Sequence, residues 1–412
     1  NVVQDTAGNN NTAATPFTAT YDATPPTVSI GANVSGSVTN SPFTATFTFS
    51  EDVTGFTASD VSATNATVGA VSEINPSVYT ATITPLGDGT VTLGVAANVA
   101  QDAAGNNNTA ASQLTTTYDA TPPTLVITSS LTGNVTNSPF TVTFTFSEDV
   151  SGFAVSDVNA TNATVGALSS SSASVYTATI TPTSDGSITI GVGANAVQDA
   201  AGNGNAMALS FSTTYDATSP EIVITTDTLG SAINGTFTAT FTFSEAVTGF
   251  AANNVIVTNA TIGALSASSA LVYTATVTPT SDGAVTVNVA ANAAQDVAGN
   301  ANTAASQFSI VYDASAPILV ITSDITGAIT NSAFTATFTF SEDVTGFANT
   351  DVTVTNATLG AISANSASVY TVTVTPISDG LVTIDVAGNA AQDVAGNNNA
   401  AATQYTTTYD VS

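Results

Sequence analysis

The residues that could do chemistry in this chain are carboxylates, and they recur at a fixed interval. The 412 residues include 29 Asp and Glu but no Lys, Arg, His or Cys. Tyr-Asp, Gln-Asp and Phe-Thr-Phe-Ser-Glu each return every 97 residues. We predict one acidic set per repeat: Asp22, Glu51, Asp52 and Asp102; Asp119, Glu148, Asp149 and Asp199; Asp216, Glu245 and Asp296; Asp313, Glu342, Asp343 and Asp393.

Such a set suits a hard divalent cation. Clustered carboxylates repel one another, and this chain has no cationic side chain to neutralise them. Calcium binds about six to eight oxygen ligands in a flexible geometry. Asn-rich loops such as "AGNNN" (104–108) offer neutral oxygens as well. We therefore predict a calcium site at each acidic set.

The same residue types also suit turns, so a structural interpretation stays open. Asp and Asn form hydrogen bonds to nearby backbone N–H groups in turns. The third repeat has Ala246 where the others have Asp, so an ion site there is expected to lack a ligand. Asp88 is followed by Gly89 and is expected in a tight turn. The series that starts at Asp60 becomes Asn254, which favours capping or turn chemistry over charge.

The composition excludes several classes of function. Without His, Cys or Lys, no Ser-His or Cys-His nucleophile and no Schiff base can form, so we predict no enzyme. A hydrolase using Glu51 and Asp102 is formally possible. However, that pair recurs in every repeat, which fits a structural role better than an active site. The net charge of −29 repels nucleic acid and anionic lipid. No apolar run reaches the about 20 residues of a membrane span, so we predict no membrane insertion of this segment.

Hydrophobic residues alternate with polar ones inside each repeat. "FTATFTF" (43–49) and "VYTATIT" (78–84) show this period of two, which is typical of half-buried strands. About seven such strands per repeat predict an all-β chain, a tandem array of immunoglobulin-like β-sandwich domains. The predicted domains are 23–119, 120–216, 217–313 and 314–412, with 1–22 as the last strand of a preceding repeat.

Strand direction predicts where the acids lie. With alternating strands, the strand before Glu51 and the strand before Asp102 both end where the linker "YDATPPT" arrives, so each acidic set is expected at a junction between repeats. Residues 1–22 cannot bury an apolar face alone. We expect them to pair with a neighbouring chain or to continue a longer one, and both favour an extended assembly.

The motifs "FTFSEDVTGF", "VYTATITP", "QDAAGN" and "YDATPPT" follow one another in this order. The chain therefore resembles the bacterial Ig-like repeats of large surface adhesins and biofilm-associated proteins; Ala246 and Asn254 depart from its repeated pattern. The resemblance implies an extracellular stalk or fibre segment at the cell surface or in a secreted matrix, stiffened by calcium at its linkers. It also implies that its partners are neighbouring copies of itself or other cell-surface or matrix components.

Other functions remain open at this point. A self-assembling subunit of an extracellular filament, sheath or surface layer could join its neighbours through sheet edges or residues 1–22. Rows of Thr such as Thr44, Thr46 and Thr48 could contact glycans or ordered water, although Thr is also common in strands. Asn-x-Thr triplets, such as the one at Asn65, indicate either glycosylation or turns.

Overall fold

The computed structural model describes residues 3–34 and 36–412. They form four repeats of nine strands each. The strands of the first repeat are β1 (Val28–Ala32), β2 (Val38–Thr39), β3 (Phe43–Phe49), β4 (Val61–Thr64), β5 (Ala66–Val68), β6 (Ser72–Asn75), β7 (Val78–Pro85), β8 (Gly89–Val95) and β9 (Leu114–Tyr118).

The other three repeats follow the same order of elements. The second has β10 (Leu125–Ser129), β11 (Val135–Thr136), β12 (Phe140–Phe146), β13 (Val158–Thr161), β14 (Ala163–Val165), β15 (Ser169–Ser172), β16 (Val175–Pro182), β17 (Gly186–Val192) and β18 (Phe211–Tyr215). The third has β19 (Ile222–Thr226), β20 (Ala232–Ile233), β21 (Phe237–Phe243), β22 (Val255–Thr258), β23 (Ala260–Ile262), β24 (Ser266–Ala267), β25 (Val272–Pro279), β26 (Gly283–Val289) and β27 (Phe308–Tyr312). The fourth has β28 (Leu319–Ser323), β29 (Ile329–Thr330), β30 (Phe334–Phe340), β31 (Val352–Thr355), β32 (Ala357–Leu359), β33 (Ser363–Ala364), β34 (Val369–Pro376), β35 (Gly380–Val386) and β36 (Tyr405–Tyr409).

Each repeat folds as a sandwich of two sheets. In the first repeat one sheet has the order β1-β3-β7-β5, with β6 also beside β7, and the other has the order β2-β9-β8-β4. All neighbours are antiparallel except β2 and β9, which run parallel. The predicted all-β array of immunoglobulin-like sandwiches is confirmed. Nine strands appear instead of about seven because very short strands such as β2 pair at the sheet edges.

The helical elements are single short turns, and their caps agree with the sequence. A 3-10 helix at Ala58–Asp60 precedes β4. The carboxylate of Asp60 accepts a hydrogen bond from the backbone N–H of Thr57 at 2.7 Å. In the third repeat Asn254 accepts the equivalent bond from Ala251 at 2.9 Å. An amide therefore replaces the carboxylate without loss of the cap, as expected for a capping residue.

Aromatic side chains fill the core beside the end of β3. Phe47 and Phe49 are at most 3 % exposed, and both meet Phe56 edge to face with ring centroids 5.3 and 5.2 Å apart. Tyr79 completes the cluster and donates its hydroxyl proton to the carbonyl of Val53 at 2.9 Å. Truncating such a buried ring typically costs about 3–5 kcal/mol. This core fixes the end of β3, and the acidic residues follow immediately.

The chain divides into two compact units. One comprises Asn1–Asn134 and Ser138–Tyr215, and the other comprises Val135–Asn137 and Asp216–Ser412. The first unit thus holds nearly all of the first two repeats, and the second holds the third and fourth repeats. Among the described residues, no helix has the length and hydropathy of a membrane span.

The segment before β1 has no strand within its described part, residues 3–27. A bridge joins Gln4 to Asn10. Phe17 is 92 % exposed and Tyr21 is 91 % exposed. In the complete repeats the matching residues lie in the last strand, as in β9. The assignment of residues 1–22 to a preceding repeat stays a prediction, and residues 1 and 2 lie outside the described part.

Candidate metal centre at the repeat junctions

Each repeat brings three carboxylates together, with one oxygen from each residue within 4.8 Å of the others. We call these groups the acidic triads. They are Asp22, Glu51 and Asp102; Asp119, Glu148 and Asp199; Asp216, Glu245 and Asp296; and Asp313, Glu342 and Asp393. Twelve of the fifteen residues singled out in the sequence therefore meet in four triads, one per repeat.

Three different elements supply each triad. In the second triad Asp119 lies in the linker after β9, and Glu148 follows β12. Asp199 lies in the long loop between β17 and β18 and is 7 % exposed. The linker is tied to the end of β12, because the N–H of Thr124 donates to the hydroxyl of Ser147 at 3.0 Å. A triad therefore joins the linker that enters a repeat to two loops of that repeat.

The loop aspartate is held by donors on its own loop. In the first repeat one oxygen of Asp102 accepts the N–H groups of Ala104 and Asn106 at 2.8 and 2.9 Å. The other oxygen accepts the side-chain amide of Asn106 at 2.8 Å. These hydrogen bonds, led by the one from the Asn106 side chain, lower the pKa of Asp102. The carboxylate is thus kept ionised and oriented.

The glutamates of the first, second and fourth triads have raised pKa values. Burial raises the pKa of Glu148 above its usual 4.5, and the negative charges of Asp119, Asp199 and Asp88 raise it further. The pKa of Glu342 in the fourth repeat is raised as well, and burial is again the largest cause. Burial and two neighbouring carboxylates also raise the pKa of Glu51. In these three triads the nearby carboxylates disfavour the ionised form of the glutamate.

The remaining three predicted ligands, Asp52, Asp149 and Asp343, do not belong to the triads. All three side chains are exposed. Asp52 lines an open cleft of about 370 Å³ together with the first triad. Ala246 occupies the equivalent position in the third repeat, where the triad is nevertheless complete. The expectation that an ion site in the third repeat has one ligand fewer than the others stays a prediction.

Asp88 has a second role that its sequence context did not reveal. It lies in the turn between β7 and β8, as predicted. It also reaches the linker after β9, where it accepts the N–H of Ala120 at 2.8 Å and the hydroxyl of Thr121. Those hydrogen bonds lower the pKa of Asp88. Since β9 ends beside this turn, strand direction was the available signal.

Asparagine side chains of the Asn-rich loop form hydrogen bonds that hold the loop in place. Asn107 accepts a hydrogen bond from the Gln101 side chain at 2.9 Å. Asn108 is 2 % exposed and accepts the N–H groups of Val99 and Ala100, both at 2.9 Å. The expectation that this loop offers free neutral oxygens is not supported for these two residues. They instead hold the loop that carries Asp102.

The donor set of a triad fits a hard cation. It consists of carboxylate oxygens, which Ca²⁺ and Mg²⁺ prefer, and it lacks the nitrogen and sulfur donors that favour zinc or copper. The spacing leaves the three carboxylates close enough to share one ion. Without a cation or a bound proton, the three carboxylates repel one another.

The chain is similar in structure to several solved proteins. These include invasin, a bacterial integrin-binding protein (16 % identity, 92 % of this chain and 78 % of that one, TM-score 0.35). InvD of Yersinia pseudotuberculosis is 15 % identical, and the match covers 69 % of this chain and 97 % of that one with a TM-score of 0.31. Domains 1–6 of the surface layer protein SbsC are 17 % identical, and the match covers 94 % of this chain and 54 % of that one with a TM-score of 0.25.

A search of curated protein sequences gives no match to this chain. A family model described as "Bacterial Ig-like domain" matches four times, at residues 22–118, 119–215, 216–312 and 313–410. These matches cover nearly the whole chain and have the same period as the sequence repeat and the strands. The chain belongs to the bacterial Ig-like domain family.

Proposed function

We propose that this chain is a structural segment of an extracellular protein, part of the stalk or fibre of a cell-surface adhesin or matrix protein, and that calcium binds at its repeat junctions. One observation carries the proposal: an Asp-Glu-Asp triad recurs in every repeat where the linker enters it. A single catalytic or ligand-binding site would not require four copies, whereas a device that restrains each junction would.

The second triad illustrates how an ion would act. Asp119 belongs to the linker, whereas Glu148 and Asp199 belong to the following repeat. Bound calcium would supply positive charge that offsets the repulsion among these carboxylates. Because its ligands come from both the linker and the repeat, binding would restrict the motion of one relative to the other.

Family membership and composition support the proposed extracellular location. Tandem bacterial Ig-like domains fit a cell-surface or matrix protein, and the absence of cysteine means that stability cannot depend on disulfides. Millimolar calcium outside the cell would fill sites of modest affinity, since extracellular calcium modules have Kd values of about 10⁻⁴–10⁻³ M. The partners we propose are neighbouring copies of the chain or other surface and matrix components.

Calcium titration of the intact chain tests the metal part of this proposal. After dialysis against EDTA and removal of the chelator, isothermal titration should show saturable binding that approaches four ions per chain. Magnesium at equal concentration should compete poorly, because it binds a smaller and more rigid octahedral site. Absence of saturable binding at millimolar calcium would refute the metal part.

One observation favours a second function, self-assembly into an extracellular filament, sheath or surface layer. Phe17 and Tyr21 are more than 90 % exposed although the same pattern forms the last strand of each complete repeat. Such a segment could pair with the sheet of another copy. Sedimentation velocity separates the two functions: assembly requires polymers that disappear when residues 1–22 are deleted, whereas a stalk segment stays monomeric.

A further inference from the structure

A side-chain amide connects the first and second repeats. Asn40 lies between β2 and β3, and its Nδ2 donates to Oδ1 of Asn203 in the second repeat at 3.1 Å. Nδ2 of Asn203 donates to the backbone carbonyl of Asp119 at 2.9 Å and to the carboxylate of Asp199 at 2.8 Å. One amide thus contacts the preceding repeat, the linker and its own repeat.

Both the nitrogen and the oxygen of the Asn203 side-chain amide have hydrogen-bond partners. Its two N–H groups have two acceptors, and its oxygen has a donor from the other repeat. The residue before it, Gly202, has φ +92°, and a Cβ there would lie 3.7 Å from Nδ2 of Asn40. The loop therefore passes directly beside the first repeat, in a conformation that favours glycine.

The opposite side of the linker is also held. Asp88 of the first repeat accepts hydrogen bonds from Ala120 and Thr121. Asp119, between β9 and these residues, is therefore fixed from the first repeat by Asp88 and from the second by Asn203. None of these contacts requires a metal ion.

The second unit has the same linker contacts between its two repeats. Asp282 accepts the N–H of Ala314 at 2.8 Å and the hydroxyl of Ser315 at 2.6 Å. Asn397 donates to the carbonyl of Asp313 at 2.8 Å. Asn234 lies against the same loop, because a Cβ on Gly396 would be 3.6 Å from its Nδ2.

We propose that Asn40 and Asn203 form a clasp that holds the first two repeats in one relative orientation without an ion. Asn203 is a positioning residue in this clasp: it connects the repeats and also orients the Asp119 linker toward the second triad. This function is distinct from calcium binding. The triad would add rigidity when an ion is present, whereas the clasp sets the orientation before one binds.

The cysteine-free sequence allows a direct test on the full chain. Spin labels at T84C and T181C, two exposed strand positions in the first and second repeats, report their separation by pulsed electron paramagnetic resonance. In EDTA the parent should give one narrow distance distribution. Asn40→Ala should reduce the ratio of clasped to open molecules about fivefold, the change expected for one hydrogen bond of about 1 kcal/mol.

Matched controls separate the clasp from simple loss of an asparagine. Asn331→Ala changes the same position in the fourth repeat, where the side chain is exposed, and should leave the distribution unchanged. Asn203→Ala should broaden the distribution. Asn106→Ala removes the corresponding bonds to Asp22 and Asp102 in the first repeat and should not broaden it.

Two results would overturn the clasp. One is an identical distribution for Asn40→Ala and Asn331→Ala. The other is a parent distribution that is broad in EDTA and narrows only with calcium, which would leave the orientation to the ion. Circular dichroism checks that Asn203→Ala still folds; if it does not, Asn40→Ala alone decides. Calcium titration fails or succeeds separately, so the clasp and the metal site are tested independently.

Discussion

Asp119 and Glu148 belong to different elements, the linker and the loop after β12, yet their carboxylate oxygens lie within 4.8 Å of each other. Burial and the charge of Asp119 both disfavour the ionised form of Glu148, as the raised pKa of Glu148 shows. Two ionised acids this close together do not stabilise a junction by themselves. Their proximity is useful when something neutralises them, and this leads to the first prediction.

Glu148→Gln should stabilise the chain when calcium is absent. The substitution keeps the shape of the side chain and removes one of the repelling charges. Thermal unfolding in EDTA should therefore show a higher midpoint for the variant than for the parent. In millimolar calcium the order should reverse, because the variant loses a ligand of the second triad.

Asp149→Asn is the matched control for this change. It removes the same charge from the adjacent residue, which is exposed and outside the triad. Its effects in calcium and in EDTA should be small and alike. If Glu148→Gln and Asp149→Asn respond to calcium in the same way, the triad is not the binding site.

Stability in EDTA should depend on pH in a direction set by the glutamates. Glu51, Glu148 and Glu342 have raised pKa values in the folded chain, so the folded state holds their protons more tightly than the unfolded state does. The free energy of unfolding then falls as pH rises through the window that begins at their usual value of 4.5. We expect a lower midpoint at about pH 7 than at about pH 5.

A second group of acids limits how far the free energy of unfolding rises as the pH is lowered. The pKa values of Asp88, Asp102 and Asp282 are lowered by hydrogen bonds, so their stabilising contribution is present above 3.8 and is lost as pH falls below it. Denaturation scans across the acid range with and without calcium measure both effects. A midpoint in EDTA that rises steadily from about pH 5 to pH 7 would contradict the role given to the glutamates.

The fold follows closely from the sequence because its signals are local. The alternation in "FTATFTF" predicts β3 with its observed bounds, Phe43–Phe49, and the inward positions are indeed the buried ones. The convergence of Glu51 and Asp102 follows from strand direction, and the structure places them together. Periodicity and direction therefore suffice for the architecture and for most of each triad.

The features that the sequence did not predict depend on contacts between residues that are far apart along the chain. Asp52 directly follows Glu51 and lines the same cleft, but it lies outside the triad. The contact of Asp88 with Ala120 spans 32 residues. The contact of Asn40 with Asn203 spans 163 residues. Neither pair has a local pattern that predicts it.

Asn65 should prove to be a turn residue rather than a glycosylation site. It has φ 56° in the left-handed region, and its side-chain amide donates to the carbonyl of Gly87 at 2.6 Å. A glycan on that nitrogen would disturb this bond. Asn65→Ala should lower the stability of the first repeat by roughly 2–3 kcal/mol, combining backbone strain with one lost hydrogen bond.

Asn65→Gly provides the comparison for that substitution. Glycine tolerates the positive φ, so this variant should lose only the hydrogen bond, about 1 kcal/mol. Urea unfolding of the two variants and the parent gives the three free energies. Equal stability of Asn65→Ala and Asn65→Gly would show that the backbone conformation at this position carries no strain.

Thermal unfolding of the full chain, with millimolar calcium and then with excess EDTA, tests the central claim most directly. If calcium binds at the triads, the unfolding midpoint should fall on chelation, calcium should restore it and magnesium should not. Ligand binding to the folded state alone raises its stability by mass action, so the shift should grow with calcium concentration. Coincident curves in calcium and EDTA would contradict the account and leave the triads as surface acids of a sandwich array that sheet packing holds together.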